Sequence, residues 1–102
     1  MEIKIKAVYK DKTVSDLIKI AQRHVNAYVR SRDQENVYFK CISCGQTLPI
    51  SDLQAGHYFP AGHYTALRFD PENINGQCLQ DNYFKHGNQT GYRRGLIEKS
   101  GR

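Results

Sequence analysis

The spacing of apolar residues changes along the chain, and each change marks a predicted element. Residues 1–12 alternate apolar and charged side chains, which predicts a short N-terminal strand or arm. Residues 13–32 carry apolar side chains three or four positions apart, which predicts an amphipathic helix packed on the rest of the domain. Thr13 and Asp16 have the spacing of a capping box, so we expect the helix to begin there. The polar face of this helix carries Lys19, Gln22, Arg23, Asn26 and Arg30.

Shorter apolar runs, separated by turn-forming residues, follow the first helix. The predicted strands are residues 37–39, 52–58 and 65–69. The predicted helices are residues 78–86 and 91–99. Asn75-Gly76 has the composition of a turn. These elements predict one α+β domain over residues 1–102, which is the expected domain count for a chain of this length.

The net charge of +5 is unevenly distributed along the chain. Residues 1–40 hold nine basic residues (Lys and Arg) and five acidic residues (Asp and Glu), and residues 83–102 hold five basic residues and one acidic residue. The segment between them holds one basic residue and four acidic residues. The basic flanks indicate either a surface that binds a polyanion or a solvated basic surface. No stretch resembles a transmembrane span or a secretory signal, so we expect a cytoplasmic protein with no membrane partner.

The spacing of the three cysteines indicates a metal site. Cys41 and Cys44 form a CxxC pair, which lets two thiolates reach one tetrahedral zinc ion. Cys78 and Asp81 form a second pair with the same spacing, because a carboxylate also ligates zinc. The alternatives to this carboxylate as fourth ligand are His86 and His63. A zinc ion held in this way would be structural, and its binding would be coupled to folding.

A lone histidine between the two ligand pairs suits general-base chemistry. His57 can accept a proton near neutral pH. The side-chain oxygen of Asn73 could orient its imidazole by accepting a ring N–H, and Asn82 could give an oxygen ligand to a hard cation such as Mg²⁺. Hydrolysis of a phosphodiester needs a base for water, a group that orients the base and a Lewis acid. The order of these three residues therefore indicates a nuclease.

At these residues the chain resembles the HNH endonucleases, also called ββα-metal or His-Me finger enzymes. More narrowly, it resembles the NinG (Rap) family of phage recombination proteins. The matching segments are Arg30-Ser-Arg-Asp33, Cys41-Ile-Ser-Cys44-Gly45, Ala55-Gly56-His57-Tyr58, Leu67-Arg68-Phe69-Asp70, Asn73-Ile74, Gln77-Cys78, Asn82, Gly87-Asn88 and Tyr92-Arg93. The resemblance covers residues 13–101. It implies a zinc-stapled ββα core at residues 37–88 with the first helix packed against it.

The resemblance implies a metal-dependent endonuclease that cuts branched DNA, such as Holliday junctions or D-loops, during phage recombination in a bacterial host. It makes His57 the general base and Asn73 the residue that orients it. Asn82 would bind the catalytic Mg²⁺ or Mn²⁺. The candidate DNA-binding residues are Arg23, Arg30, Arg32, Arg68, Lys85, Arg93 and Arg94. Cutting both strands of a junction symmetrically requires two active sites, which would favour a homodimer.

Two positions depart from the pattern of related enzymes. Gly56 stands where many HNH enzymes have an aspartate that binds the catalytic metal, so another group would have to serve. The candidate replacements are Asp70, His63 and His86, or the metal would keep more water ligands. Asp81 stands where the family usually has a fourth cysteine. These departures favour one alternative to the branched-DNA nuclease, a zinc-stabilised DNA-binding or interaction module without catalysis. A second alternative is a general HNH nickase with no preference for branches.

Overall fold

The computed structural model describes residues 12–101, and its first element is one long helix. Helix α1 spans Val14–Asp33, which coincides with the predicted helix to within one residue at each end. The predicted capping box is present, because the Thr13 hydroxyl accepts the Asp16 N–H and the Asp16 carboxylate accepts the Thr13 N–H. Of the predicted N-terminal strand or arm at residues 1–12, all but Lys12 lies outside the described residues.

Two small antiparallel sheets follow helix α1. The first contains β1 (Gln34–Glu35), β2 (Tyr38–Lys40) and β3 (Thr47–Pro49), in that order. The second is a hairpin of β4 (Leu53–His57) and β5 (Ile74–Cys78). Its register pairs Leu53 with Cys78 and His57 with Ile74. His57 and Cys78 therefore lie at opposite ends of the hairpin, separated by about 13 Å along the strand direction.

The second strand of the hairpin differs from the prediction. Residues 65–69, predicted as a strand, contain only a 3-10 turn at Thr65–Leu67, within the long connection between β4 and β5. Asn75-Gly76, predicted as a turn, lies inside β5 instead. Asn75 is buried, and its side-chain oxygen accepts a hydrogen bond from Lys99 Nζ at 2.6 Å. Tertiary contacts of this kind override the low intrinsic strand preference of asparagine and glycine.

The chain after β5 forms a tight turn and then a second helix. The helix expected at residues 78–86 is a single π-helical turn, Gln80–Phe84. Helix α2 spans Gln89–Lys99 and contains the segment predicted at residues 91–99. Asn88 begins it in the left-handed conformation, with a φ of 44°, and its side chain accepts the Gly91 N–H. The left-handed residue redirects the chain from the π-helical turn into α2.

Two glycines of α2 allow the helix to approach the CxxC loop closely. A Cβ added at Gly91 would overlap the main-chain oxygen of Ser43, and one added at Gly95 would overlap that of Ile42. Glycines four residues apart lie on the same face of a helix. Gly95, an unfavourable residue by helix propensity, is therefore required by packing against the loop that carries two of the cysteines.

The buried face of α1 is partly polar. Val29 is fully buried, whereas Val14 near the helix start is 73% exposed. Gln22 and Asn26, which the sequence assigned to the polar solvent face, are half-buried instead. The cause is their position beside the hairpin, where Gln22 Oε1 accepts a hydrogen bond from Arg68 Nε in the β4–β5 connection and Gln22 Nε2 lies 3.3 Å from His57 Nε2. Within residues 12–101, neither helix combines the length and the apolar character needed to cross a membrane.

Candidate metal centre and candidate active site

Four potential metal ligands lie together at one end of the hairpin. One ligand atom from each of Cys41, Cys44, Cys78 and Asp81 lies within 4.8 Å of all the others. Three of these residues are buried, and Cys44 is exposed. None of the cysteines forms a disulfide. Two thiolates from a CxxC loop, a third thiolate and a carboxylate match the number and type of ligands in a tetrahedral zinc site.

Backbone hydrogen bonds hold the sulfur atoms in place. Cys41 Sγ accepts the N–H groups of Cys44 and Cys78 at 3.4 and 3.3 Å. Cys78 Sγ accepts the N–H of Asp81 at 3.4 Å. Burial raises the pKa of the Cys78 thiol to about 12. A bound cation would offset this cost of ionising Cys78, so the chemistry of the cluster favours a divalent metal such as zinc.

Asp81 is oriented by two neutral side chains. Its Oδ2 accepts hydrogen bonds from the Ser43 hydroxyl at 2.6 Å and from Asn88 Nδ2 at 2.8 Å. Its Oδ1 has one charged neighbour, Lys85 Nζ at 3.9 Å. Oδ1 is therefore the atom that suits a metal ion, while Oδ2 fixes the carboxylate. The expected alternatives, His86 and His63, are exposed and do not belong to the cluster.

The imidazole of His57, at the opposite end of the hairpin, is held through one nitrogen. His57 Nε2 lies 2.9 Å from the main-chain oxygen of Arg68 and 3.3 Å from Nε2 of Gln22. A carbonyl oxygen only accepts, so the shorter contact is a hydrogen bond when Nε2 carries the proton. In that tautomer Nδ1 of the neutral ring has the lone pair. Nδ1 has no hydrogen-bond partner among residues 12–101.

Asn73 does not make the contact with His57 that the sequence predicted. Its side-chain oxygen accepts the Phe59 N–H at 2.9 Å, and its Nδ2 donates to the main-chain oxygens of Phe59 and Leu67, each at 3.1 Å. The amide is used to fix the two ends of the connection between β4 and β5. Because Arg68 follows Leu67 directly, Asn73 positions the carbonyl that holds His57, rather than the imidazole itself.

The expected ligands of a catalytic metal do not form a second cluster. Asn82 is half-buried in the π-helical turn, while His63 and His86 are exposed. Asp70 Oδ1 accepts the N–H of Glu72, which caps the 3-10 turn after it. In the described part of the chain, the cysteine–aspartate cluster is the only group of three or more His, Cys, Asp or Glu side chains with the geometry of a metal site.

Gly56, directly before His57, has no room for a side chain. A Cβ at this position would overlap Gln77 Oε1 and would lie 3.0 Å from both Cβ and Cδ of Gln77. Gln77 is fully buried, and its Nε2 donates to Ser43 Oγ and to the main-chain oxygen of Gly87. The packing of Gln77 therefore requires a glycine at position 56.

The candidate DNA-binding residues divide into three groups. Arg32 is structural: its guanidinium donates to the carbonyls of Pro71 and Ile74 and to the Asp33 carboxylate, so it fixes the end of α1 to the hairpin. Arg68 uses Nε to donate to Gln22 Oε1 at 3.1 Å. Neither terminal nitrogen of Arg68 has a protein partner within residues 12–101. Arg23, Lys85, Arg93 and Arg94 are exposed, and Arg30 is half-buried.

A groove of about 740 Å³ lies between the first sheet and the end of α2, and Arg32 is the one candidate DNA-binding residue in its lining. Its walls include Lys40, Lys99, Glu35 and Glu98, so both signs of charge are present. Neither His57 nor Arg68 lines it. We assign the candidate active site to His57 on the basis of its chemistry, because a large groove of mixed charge has no feature specific for phosphate.

The sequence analysis missed several polar residues that build the site. Ser43 and Asn88 orient Asp81, while Tyr92, fully buried, donates through its hydroxyl to the Gly56 oxygen at 2.6 Å. Gln22 contacts both His57 and Arg68. One sequence signal could have revealed Gln22: it is a polar residue within the apolar series of α1, four residues after Ile18 and three before Val25.

The fold and the site together define a small α+β protein with a candidate metal centre of three cysteines and one aspartate. The chain belongs to the NinG family: the family model described as "NinG: Bacteriophage Lambda NinG protein" matches residues 1–102. Curated relatives named "Protein ninG" come from Salmonella phage P22, Escherichia phage 933W and Escherichia phage lambda, with 46%, 45% and 44% identity over 84 residues.

Each of these matches covers 82% of this chain and 39 or 40% of the relative. The chain thus spans about two fifths of the length of these relatives. No solved structure matches the chain.

Proposed function

We propose that this protein is a metal-dependent DNA endonuclease of the HNH type that hydrolyses phosphodiester bonds in branched recombination intermediates. The observation that carries the proposal is the imidazole of His57. Its Nε2 is held by the main-chain oxygen of Arg68 at 2.9 Å, and its Nδ1 is left without a protein partner among the described residues. A histidine fixed in one tautomer, half-exposed at the end of a strand, meets the requirements of a general base.

The reaction begins with removal of a proton from water by His57 Nδ1. The water oxygen forms a bond to phosphorus as the ester P–O bond breaks, and the leaving oxygen takes its proton from solvent. Nε2 keeps its proton throughout, and the Arg68 carbonyl stabilises the imidazolium formed on the ring. This role resembles that of the carboxylate in a catalytic triad, with a main-chain carbonyl in place of the acid.

The guanidinium of Arg68 is suited to bind the scissile phosphate. Its Nε is engaged by Gln22, and its terminal nitrogens are without protein partners in residues 12–101. Two parallel N–H groups match the geometry of two phosphate oxygens. The exposed cations Arg23, Lys85, Arg93 and Arg94 would bind flanking phosphates without reading sequence. That mode of binding suits an enzyme that selects DNA by shape.

A catalytic Mg²⁺ or Mn²⁺ would be bound with few protein ligands. Asn82 and Asp70 offer oxygen atoms, but no three metal-binding acids, histidines or cysteines converge near His57 in the described chain. Mg²⁺ is commonly held by one or two side chains together with phosphate oxygens and water, so a single one of these oxygens beside the bound phosphate would be enough. When bound, such an ion would neutralise negative charge on the phosphate.

The direct test is cleavage of a labelled four-way junction and a matched linear duplex by the zinc-loaded protein. Each reaction would be run with Mg²⁺, Mn²⁺ and EDTA, with His57→Ala and the exposed-histidine variant His24→Ala as a matched pair. We expect metal-dependent cutting of the junction, a loss of about 10²- to 10⁴-fold in His57→Ala, and no change in His24→Ala. Junction cutting by His57→Ala at the wild-type rate would refute the assignment of the base.

A binding module without catalysis is the second candidate, because Gly56 and the lack of a second ligand cluster in residues 12–101 both weaken the case for a catalytic ion. It would bind branched DNA with the same basic residues. Tight junction binding without cutting in either metal would favour it. Equal cutting of junction and duplex would instead favour a general HNH nickase.

A further inference from the structure

Gln22, in the middle of α1, is the one helix residue that contacts both the candidate base and the candidate phosphate ligand. Its side chain is half-buried. Gln22 Oε1 accepts from Arg68 Nε at 3.1 Å, and Gln22 Nε2 lies 3.3 Å from His57 Nε2. These partners are 46 and 35 positions away in sequence. A single amide therefore bonds to one of these groups and lies against the other, although the hairpin and its long connection carry them separately.

The orientation of this amide is fixed by one hydrogen-bond partner that can only donate and one that accepts. Arg68 Nε can only donate, so the Gln22 oxygen must face it. The nitrogen then donates to Asn26 Oδ1, one helical turn further along α1, at 2.9 Å. Rotating the amide by 180° would place an NH₂ group against the Arg68 N–H, and both bonds would be lost. Gln22 is thus held by its own helix on one side and by the connection on the other.

The contacts divide each functional side chain into an engaged end and an available end. For Arg68, Nε is engaged by Gln22, and the terminal nitrogens have no protein partner in the described chain. For His57, the Nε2–H is engaged by the Arg68 carbonyl alone, because Gln22 Nε2 is also a donor and cannot bond to it, and Nδ1 has no hydrogen-bond partner in the described chain. The available atoms are the ones that the proposed reaction requires. An amide that contacted the terminal nitrogens or Nδ1 would have blocked that chemistry.

We propose that Gln22 is a positioning residue of the active site, which holds the Arg68 guanidinium for the scissile phosphate beside His57. This inference rests on the proposed nuclease function. It makes α1 part of the active site, in addition to its role as a scaffold for the hairpin. The effect on rate follows from orientation, since a displaced arginine would no longer bind the phosphate next to the water that His57 activates.

The test compares Gln22→Met, which keeps the length of the side chain and removes its amide, with Ala27→Met on an exposed position of the same helix. Both variants, zinc-loaded and full-length, would be measured for melting temperature, junction affinity and single-turnover cleavage. The Nε resonance of Arg68 would be recorded by NMR without DNA. We expect Gln22→Met to cut about tenfold more slowly, as loss of one hydrogen bond implies, with a shifted Arg68 Nε resonance and with the protein still folded at the assay temperature.

Two outcomes would overturn the proposal: a wild-type cleavage rate in Gln22→Met, or a slower rate that follows only a loss of folded protein while the Arg68 Nε resonance stays unchanged. A double-mutant cycle with Arg68→Ala adds a sharper test, because Gln22→Met should slow cleavage less once the guanidinium is absent. If the wild-type protein fails to cut any DNA, the nuclease proposal fails, and the NMR measurement still reports separately whether Gln22 holds the Arg68 guanidinium.

Discussion

A single methyl group at position 56 is expected to destabilise the protein strongly. In Gly56→Ala the new Cβ would overlap Gln77 Oε1 and crowd the Gln77 Cβ at 3.0 Å. Gln77 cannot move away freely, because it is fully buried and its Nε2 donates to Ser43 Oγ at 2.9 Å and to the Gly87 oxygen at 2.7 Å. Either the backbone of β4 shifts or Gln77 leaves its site, and either change lowers the free energy of unfolding.

The size of the effect can be estimated from two contributions. Overpacking a buried site costs about 1–3 kcal/mol. Displacement of Gln77 would remove two hydrogen bonds, each contributing about 1 kcal/mol to stability. The free energy of unfolding should therefore fall by about 3–5 kcal/mol in total. For a chain of this size, 1 kcal/mol corresponds to a change of about 4–8 °C in Tm, so we expect Tm to fall by at least about 10 °C.

The assay is thermal unfolding followed by circular dichroism, with zinc present in equal excess for all variants. Gly62→Ala is the matched control, because a Cβ at Gly62 would meet no atom within 4 Å. A Tm for Gly56→Ala equal to that of Gly62→Ala would refute the reasoning. It would mean that Gln77 has an alternative position and that the glycine before His57 is not a packing requirement.

Three further predictions concern the metal centre, the connection and the end of α1. Ser43→Ala should weaken zinc affinity about 10- to 100-fold, because Asp81 loses the shorter of the two side-chain hydrogen bonds to its Oδ2. Competition with a chromophoric chelator would measure the affinity, and a value equal to that of the exposed-site control Ser51→Ala would contradict the prediction. Asn73→Ala should speed hydrogen exchange of the Phe59 amide, which donates to Asn73 Oδ1 at 2.9 Å; equal protection in both proteins would argue against this anchor. Burial opposes ionisation of Asp33, but bonds from Arg32 and the Gly76 N–H outweigh it and lower the pKa of the carboxyl. The difference in unfolding free energy between wild type and Asp33→Asn should therefore be complete above the carboxyl pKa of the unfolded chain, about 4, and should shrink as pH falls through the lower pKa of the folded protein. Urea unfolding at several pH values would measure this difference, and a difference that does not change with pH would oppose this account.

The sequence predicted the elements and residues whose signals are local. The capping box at Thr13 and Asp16 and the repeat of apolar residues define α1 without reference to the rest of the chain. The CxxC spacing likewise identified the first two members of the ligand cluster, and the spacing of Cys78 and Asp81 identified the others. Each of these signals acts over a few residues, so neighbouring sequence is sufficient to recognise it.

The errors concern residues whose conformation depends on distant partners. Asn75 has the composition of a turn residue, and it lies in β5 because Lys99 and Tyr92 satisfy its buried amide. Arg32 appeared to be a surface cation, and its main-chain partners lie 39 and 42 residues away. No local pattern reports a hydrogen bond between residues so far apart, because composition states only which groups need a partner and not where the partner is.

The distant contacts also connect the two ends of the hairpin. Asp81 at the metal centre accepts from Ser43, whose oxygen accepts from Gln77, and Gln77 packs against Gly56 directly before His57. Every group in this series is buried, so a change at one member cannot be absorbed by water and must be taken up by its neighbour. Loss of the metal would leave Asp81 without its cation and draw Ser43 and Gln77 into new positions. The strand that presents His57 should then become less ordered, although the histidine lies about 13 Å from Cys78 along the hairpin. The candidate metal centre would in this way control the proposed general base through packing and hydrogen bonds, without contact between them.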